Sequence, residues 1–196
     1  MNWKTISIIF FIMFCTLTKG QEYRWGLSGS ITKIMSTDKW KVSYYSPPPY
    51  REVQYEREMD YWGYGLYYCG VWQLGTKNEI LIKPGIFLSN ETFSGIECGF
   101  YYKRILFDDF KAGLGLNVNI HDFFEWANGR PVNTTIDLSI ERRIINDIFL
   151  GVTFSKPVNE NFGNSYQSRI NGEIINGGYA VSNVHYMLKA YIEYYP

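Results

Sequence analysis

The stretches 111–120, KAGLGLNVNI, and 132–143, VNTTIDLSIERR, decide the fold. In both, nearly every second residue is apolar, while the residues between are mostly glycine or polar. Successive side chains of a β-strand point to opposite faces, so each stretch predicts a strand with one apolar and one polar face. Neither stretch has the 3.6-residue period of a helix. Strands of this kind, joined by uneven connections, are typical of β-barrels in lipid.

The same alternation, followed outward from these two stretches, predicts eight strands. Their bounds are 23–35, 60–73, 79–89, 92–105, 110–121, 132–143, 146–155 and 182–195. The connections at one end are tight, at 74–78, 106–109 and 144–145. The other end has one brief turn at 90–91 and three long segments, at 36–59, 122–131 and 156–181. Outer-membrane barrels have this asymmetry. We therefore predict an all-β, eight-stranded antiparallel up-and-down transmembrane β-barrel.

The alternation alone leaves open which face points outward, because the apolar face lies inside a soluble barrel and outside a membrane barrel. The polar faces carry charged residues at mid-strand together with many glycines, which suits a narrow lumen in which charges pair. Aromatic residues make up 18% of the chain and would supply belts at two lipid–water boundaries. We therefore predict the apolar face outward. The alternative is a secreted, soluble, lipocalin-like barrel that binds an apolar ligand.

The N-terminal residues 1–20 have the composition of a secretion signal. Lys4 supplies the positive charge, and the apolar core that follows is shorter than the roughly 20 residues of a spanning helix. Cleavage near Gly20 would leave residues 21–196 as one barrel domain. The 19 basic and 19 acidic residues of the chain give no basic field to hold nucleic acid. These features predict a monomer in the outer membrane of a Gram-negative bacterium, in contact with outer-membrane lipid.

Three stretches carry a family resemblance: RWGLSGSITK at 24–33, WGYGLYYCGVWQLGTKNEILIKPGIFLS at 62–89 and VHYMLKAYIEYY at 184–195. They supply a first strand, a glycine-rich hairpin and a closing strand. In these patterns the chain resembles the small outer-membrane β-barrel proteins of Bacteroidetes, the PorT-like group. Pro84 departs from the pattern of a regular strand, because proline removes a ladder donor, and it predicts a β-bulge.

The polar faces predict a lumen filled by ion pairs. The candidates are Arg24, Lys83, Glu97, Lys103, Lys111, Asp137, Glu141, Arg143, Lys189 and Glu193. Charges shut away from water are tolerated only when they are paired and hydrogen-bonded. Arg24 and Glu193 lie near the same end of the first and last strands and are predicted to pair. The interior of an eight-stranded barrel is just wide enough for side chains, so a selective channel is not predicted.

We predict no catalytic residue, no cofactor and no metal site. His121 and His185 are placed at the outer rim, and Ser182 precedes His185 by three residues, but the His-x-Ser-Asn arrangement of lipid A deacylases is absent. An outer-membrane enzyme that hydrolyses or transfers acyl groups of lipid A remains the alternative, and its discriminator is a nucleophile within reach of either histidine. Cys69 and Cys98 lie on strands that are not neighbours, so no disulfide is predicted.

The predicted function is a non-enzymatic structural or surface-interaction role. The loops at 36–59 and 156–181 are the sites proposed for an extracellular partner or glycan, and the second is rich in Asn, Gly, Ser and Tyr. Such a composition gives adaptable polar contacts with aromatic anchors. The alternative is that these loops are merely solvated.

Overall fold

The computed structural model describes residues 22–44, 51–89, 93–107, 109–121, 132–158, 161–170 and 173–196. The predicted signal peptide and the segment 122–131 lie outside these residues. The described strands are β1 (Tyr23–Tyr44), β2 (Arg51–Gln73), β3 (Asn78–Ser89), β4 (Gly95–Phe107), β5 (Phe110–His121), β6 (Val132–Ile145), β7 (Ile148–Pro157), β8 (Asn161–Ile170) and β9 (Glu173–Tyr194). Within this part of the chain, no helix is long and apolar enough to cross a membrane.

Eight of the strands close into a ring. The sheet order is β1-β2-β3-β4-β5-β6-β7-β9-β8, and β1 also pairs with β9. Every pairing is antiparallel. β8 pairs with β9 beyond the point where β7 ends, so it lies outside the ring. The predicted eight-stranded antiparallel up-and-down barrel is confirmed, with one additional strand beside it.

The alternating side chains sort as predicted, with the apolar set outward. Leu114 and Leu138 are each 56% exposed, whereas Asp137 is fully buried and Lys189 is 5% exposed. Transmembrane barrels have this distribution, and it is the reverse of the distribution in a soluble barrel. The interior therefore holds the polar residues, and the wall presents leucine, isoleucine and aromatic side chains.

The segments 36–59 and 156–181, predicted as long loops, are largely strands. β1 continues to Tyr44 and β2 begins at Arg51, and their register is unbroken from Tyr23↔Trp72 to Tyr44↔Arg51. Residues 36–44, 51–60, 161–170 and 173–183 thus form a four-stranded sheet, β2-β1-β9-β8, which we call the extension. At the usual rise per residue, the nine residues of β1 in the extension span roughly 30 Å. Because the barrel already holds these strands in register, further pairs form without a new loop closure.

A β-bulge lies in β9 where the barrel meets the extension. Met35 pairs with Tyr186 and Ser36 with Val184, so His185 is the extra residue. The bulge changes the parity of β9, and as a result Val184 and Met187 both point inward. Two apolar side chains therefore face the interior on either side of the bulge.

The bulge predicted at Pro84 is wrong. β2 and β3 pair as Tyr67↔Gly85 on one side of the proline and as Gly70↔Ile82 on the other, which is the same register. Pro84 itself is opposite Cys98 in a continuous β3–β4 ladder. The backbone angle of proline is compatible with an extended strand, so the missing donor requires no extra residue.

Candidate functional site

The lumen contains a continuous chain of alternating charges. In order, its members are Arg24, Glu79, Lys111, Glu141, Lys103, Glu193 and Lys83, and we call them the lumen network. The N···O distance is 2.9 Å for Arg24–Glu79, 2.7 Å for Glu79–Lys111 and 3.6 Å for Lys111–Glu141. Lys103 contacts Glu141 and lies 3.3 Å from Glu193, which lies 3.0 Å from Lys83. Each charge meets the opposite sign, the condition under which buried ions are tolerated.

A second cluster lies beside the network, around Glu97. Lys189 lies 3.0 Å from this carboxylate, and Asn119 donates to it at 3.2 Å. The Tyr67 hydroxyl donates to Glu97 and accepts from Lys189 at 3.2 Å. Lys83 connects the two clusters, because its ammonium lies 5.0 Å from the centre of the Tyr67 ring, within the range of a cation–π contact.

Two of the predicted lumen ion-pair residues are placed differently from the prediction. Asp137 is buried but accepts from the hydroxyls of Tyr101 at 2.7 Å and Thr135 at 2.6 Å. Arg143 is exposed at the end of the barrel that holds the termini, with its guanidinium 5.6 Å from the Phe149 ring centre.

The predicted pairing of Arg24 with Glu193 is wrong. Arg24 pairs with Glu79 instead, as described above. The reason is register, because Glu193 lies opposite Ser28, four residues along β1 from Arg24. At that position the glutamate meets Lys83 and Lys103 rather than the arginine.

Sequence analysis missed Glu79 and most of the tyrosines that bond the buried carboxylates. Glu79 has the same parity on β3 as Lys83, four residues later, and this was the available signal. Aromatic residues as a class were assigned to lipid-facing belts, although parity places Tyr101 and Tyr191 on the polar faces of their strands, and their hydrogen bonds to carboxylates were not predicted. Tyr191 shows the outcome: it is buried and its hydroxyl donates to Glu141 at 3.0 Å.

Tyrosine rings over glycines fill the space between the charges. A Cβ at Gly65 or Gly85 would overlap Tyr67, one at Gly99 or Gly115 would overlap Tyr101, and one at Gly151 would overlap Tyr191. The cavity left at the centre, among the described residues, has a volume of about 10 Å³. A cavity of that size holds about one water molecule. The described part of the lumen is therefore closed to solutes.

An apolar cluster closes the lumen below the extension. It consists of Ile34, Tyr61, Phe87, Phe93, Val184 and Met187. Beside it, Asp38 accepts hydrogen bonds from the hydroxyls of Tyr61 and of Ser36, the second at 3.0 Å. The interior thus changes from charged at the centre to apolar at the rim.

The outward face of the extension carries cross-strand ion pairs. Lys39 lies 3.1 Å from Glu56, and Lys41 lies 2.9 Å from Glu52. Lys33, at the base of the extension, lies 2.8 Å from Asp60. Over residues 51–62, β2 pairs with β1 and not with β3, so this part of β2 is an open edge among the described strands. Charged residues on an edge strand discourage unspecific pairing with other chains.

His185 lies on the bulge, and its Nε2 is 2.7 Å from the hydroxyl of Thr37. The Lys156 ammonium donates to the carbonyl of His185 at 3.0 Å. Ser182 is buried and points inward, whereas His185 is exposed, so these two residues do not form a dyad. The side chain of His121 lies outside the described residues.

The cysteines and acidic groups form no metal cluster in the described ranges. No group of three His, Cys, Asp or Glu residues there could hold a metal ion. Cys69 and Cys98 are free thiols, the first buried in the lumen and the second half-buried on the wall.

Comparison with known proteins gives distant structural likenesses. No protein family and no curated protein sequence matches the chain. The outer membrane protein OprG from Pseudomonas aeruginosa superimposes with a TM-score of 0.45 at 9% identity, over 90% of this chain and 97% of OprG. The KdgM porin gives 0.38 at 10% identity, over 85% of this chain and 98% of KdgM. At these identities and scores, neither protein's role transfers to this chain, and the PorT-like resemblance stays a prediction.

Proposed function

We propose that the chain is a monomeric outer-membrane β-barrel of a Gram-negative bacterium that holds the extension at the cell surface for a non-enzymatic interaction. The observation that carries the proposal is the inverted barrel: mid-strand leucines on β5 and β6 are exposed, while every member of the lumen network except Arg24 is buried. Exposing this apolar wall to water would cost free energy, whereas the hydrocarbon of a bilayer would cover it.

The extent of the apolar wall supports a bilayer. On β1 the outward side chains are apolar or glycine from Tyr23 to Ile31, and the first charged one is Lys33. These nine residues span roughly 30 Å of strand, or somewhat over 20 Å along the axis of a tilted barrel, close to the hydrophobic height of outer-membrane barrels. Trp25, stacked on Tyr68, lies at one edge of this band, and Trp62 lies at the other. Aromatic side chains favour such boundaries.

The closed lumen supports a role in display rather than conduction. The strands that continue past the rim carry an open edge and a charged face along roughly 30 Å of strand beyond the barrel. In the proposal, an extracellular partner or glycan binds through the segments 36–59 and 156–181, which contain the extension. Export uses the proposed signal peptide, residues 1–20, with cleavage near Gly20.

The location is tested with two single-cysteine labels in intact cells. Glu56→Cys lies on the extension, and Lys77→Cys lies in the turn at the end of the barrel that holds the termini. A membrane-impermeant maleimide should label the first in intact cells and the second only after the outer membrane is opened. The unsubstituted chain controls for Cys69 and Cys98. The unboiled protein should also run as a compact, heat-modifiable band from the outer-membrane fraction, and a form soluble without detergent overturns the proposal.

The binding role is tested by shortening the extension. Asp38 and Arg57 are register partners, so a tight turn that replaces residues 39–56 preserves the hairpin. The shortened protein should keep the heat-modifiable band but lose binding to a glycan array and to fixed cells. Binding equal to that of the full chain would show that residues 39–56 of the extension have no such role.

One contact favours a second candidate function, acyl transfer or hydrolysis on a membrane lipid. The Thr37 hydroxyl lies within hydrogen-bond distance of His185 at the rim, as a nucleophile and its base must. A carboxylate that orients the histidine ring is not found among the described partners of His185. Mass spectrometry of lipid A from cells with Thr37→Val, His185→Gln or the unsubstituted chain decides this candidate: identical acyl patterns exclude it.

A further inference from the structure

The end of the barrel that holds the termini carries exposed apolar side chains on two of its tight turns. Phe107 in the β4–β5 turn is 71% exposed and Ile145 in the β6–β7 turn is 62% exposed, and Leu106 and Ile144 beside them are also exposed. The Arg143 amide donates to the Asp109 carbonyl at 2.7 Å, so the two turns are in contact. A contiguous exposed apolar patch of this kind marks an interaction surface.

Two arginines lie just inside this patch, on the outward face of the wall. Arg104 on β4 is opposite Ala112, and Arg142 on β6 is opposite Phe110, so both flank β5. Their backbones are therefore roughly 12 Å apart, from two strand spacings and a two-residue offset along β5. The Arg142 guanidinium lies 5.2 Å from the centre of the Phe110 ring, which fixes its position over the apolar wall.

These arginines differ in their pairing from the lysines at the other end. Lys33, Lys39 and Lys41 each lie within 3.1 Å of a carboxylate. No ion pair within the described segments includes Arg104 or Arg142. Two guanidinium groups at the edge of an apolar band therefore offer a site for an anion that also belongs at that depth.

We propose that Arg104 and Arg142 bind the phosphate head group of an anionic glycerophospholipid, with its acyl chains along the wall of β4–β6. The inference rests on the proposed membrane location. A guanidinium matches phosphate oxygens with paired hydrogen bonds, and the head group lies at the depth where the apolar band ends. Phe107 and Ile145 lie beyond the arginines, at the lipid–water boundary.

The site is tested by native mass spectrometry of the purified full chain in detergent, titrated with phosphatidylglycerol or with phosphatidylcholine. The unsubstituted chain should retain phosphatidylglycerol in preference, and the retention should fall as salt is raised. The double variant R104Q/R142Q should bind phosphatidylglycerol about thirtyfold more weakly. The control K39Q/K41Q removes the same charge from the extension and should bind as the unsubstituted chain does, while R104K/R142K should retain part of the affinity.

Equal binding of phosphatidylglycerol by the two glutamine double variants overturns the site, as does equal retention of the two lipids by the unsubstituted chain. The second comparison needs no variant and stands even if R104Q/R142Q fails to fold. A patch that instead recruits a periplasmic protein would give lipid binding insensitive to both substitutions, and this also overturns the proposal. Failure of the unsubstituted chain to give a heat-modifiable band in the outer-membrane fraction is a separate result, which counts against the proposed location.

Discussion

The lumen and the extension contain the same ion pair in opposite surroundings. Lys83 and Glu193 in the lumen are 3.0 Å apart with side chains 7% and 1% exposed, whereas Lys39 and Glu56 on the extension are 3.1 Å apart and 50% and 60% exposed. The two ion pairs therefore have nearly the same N···O distance and differ in burial. A buried carboxylate that loses its partner leaves an uncompensated charge, while an exposed one is rehydrated and screened.

This difference also explains how one pair of strands serves two purposes. Within the barrel, the side chains of β1 and β2 point alternately to the apolar outer wall and to the packed lumen. In the extension, most described side chains of β2 on both faces are exposed or half-buried, and polar residues replace the outward apolar ones. Register is continuous between the two regions, so only the solvent on each face changes.

The largest effect is expected at the centre of the lumen network. Glu193→Gln should lower the free energy of unfolding by about 3–5 kcal/mol, because it leaves the ammonium groups of Lys83 and Lys103 buried with less counter-charge. Glu56→Gln on the extension should change it by no more than about 1 kcal/mol. Denaturant unfolding in lipid vesicles, followed by tryptophan fluorescence, measures both. Similar losses for the two variants would refute the role assigned to burial.

A charge placed on the wall should have the next largest effect. Leu116 is exposed near the middle of the apolar band, and Leu116→Arg should cost about 2–4 kcal/mol in a bilayer. Gln54→Arg, on the exposed extension, should be close to neutral. The same vesicle unfolding assay applies. If Leu116→Arg were neutral or stabilising, the wall would be in contact with water.

Replacing glycine by alanine should affect stability differently inside the lumen and on the wall. Gly65→Ala should destabilise by about 1–3 kcal/mol, because the new Cβ overlaps the packed ring of Tyr67. At Gly29 a Cβ would meet Ile192 and Leu66 at 4.0 Å, an ordinary contact, so Gly29→Ala should be neutral or stabilise by up to about 1 kcal/mol. Thermal loss of the heat-modifiable band ranks the two variants. Equal midpoints would mean that the lumen is loosely packed.

The smallest effect is expected from removing one hydroxyl. Tyr67→Phe should cost about 1–2 kcal/mol, because Glu97 loses a donor and Lys189 loses an acceptor in the buried cluster. Tyr64→Phe on the exposed wall should leave stability unchanged within about 0.5 kcal/mol. Unfolding free energies measured side by side test the pair. A loss at Tyr64 equal to that at Tyr67 would show that the buried hydroxyl adds no special stability.

Sequence reasoning succeeded where a residue's surroundings follow from its neighbours in the chain. Parity on β5 and β6 placed Leu114 and Leu138 outward and Asp137 inward, because alternation is a local property of an extended backbone. It failed where the surroundings depend on another strand. The partners of Arg24 and Glu193 were misassigned because the sequence of either strand alone does not determine the register between them.

The extension shows a second kind of failure. Beyond Asp38, the described side chains of residues 39–43 and 52–60 are exposed or half-buried, so nothing in their composition separates a solvated loop from a solvated strand. Their pairing is set by the barrel below, which holds β1, β2 and β9 side by side and lets the ladders continue. The predicted loops were strands for this reason.

The amino-acid sequence by itself determined the strand period, the two faces of most strands and most of the charges that share the interior, because each depends on residues one or two positions apart. The tertiary structure alone decided the order of the lumen network, the closure of the ring through β1 and β9, and the length of the extension. These depend on register across strands that are far apart in the chain, and hydrogen bonding and packing settle that register only once the ring closes.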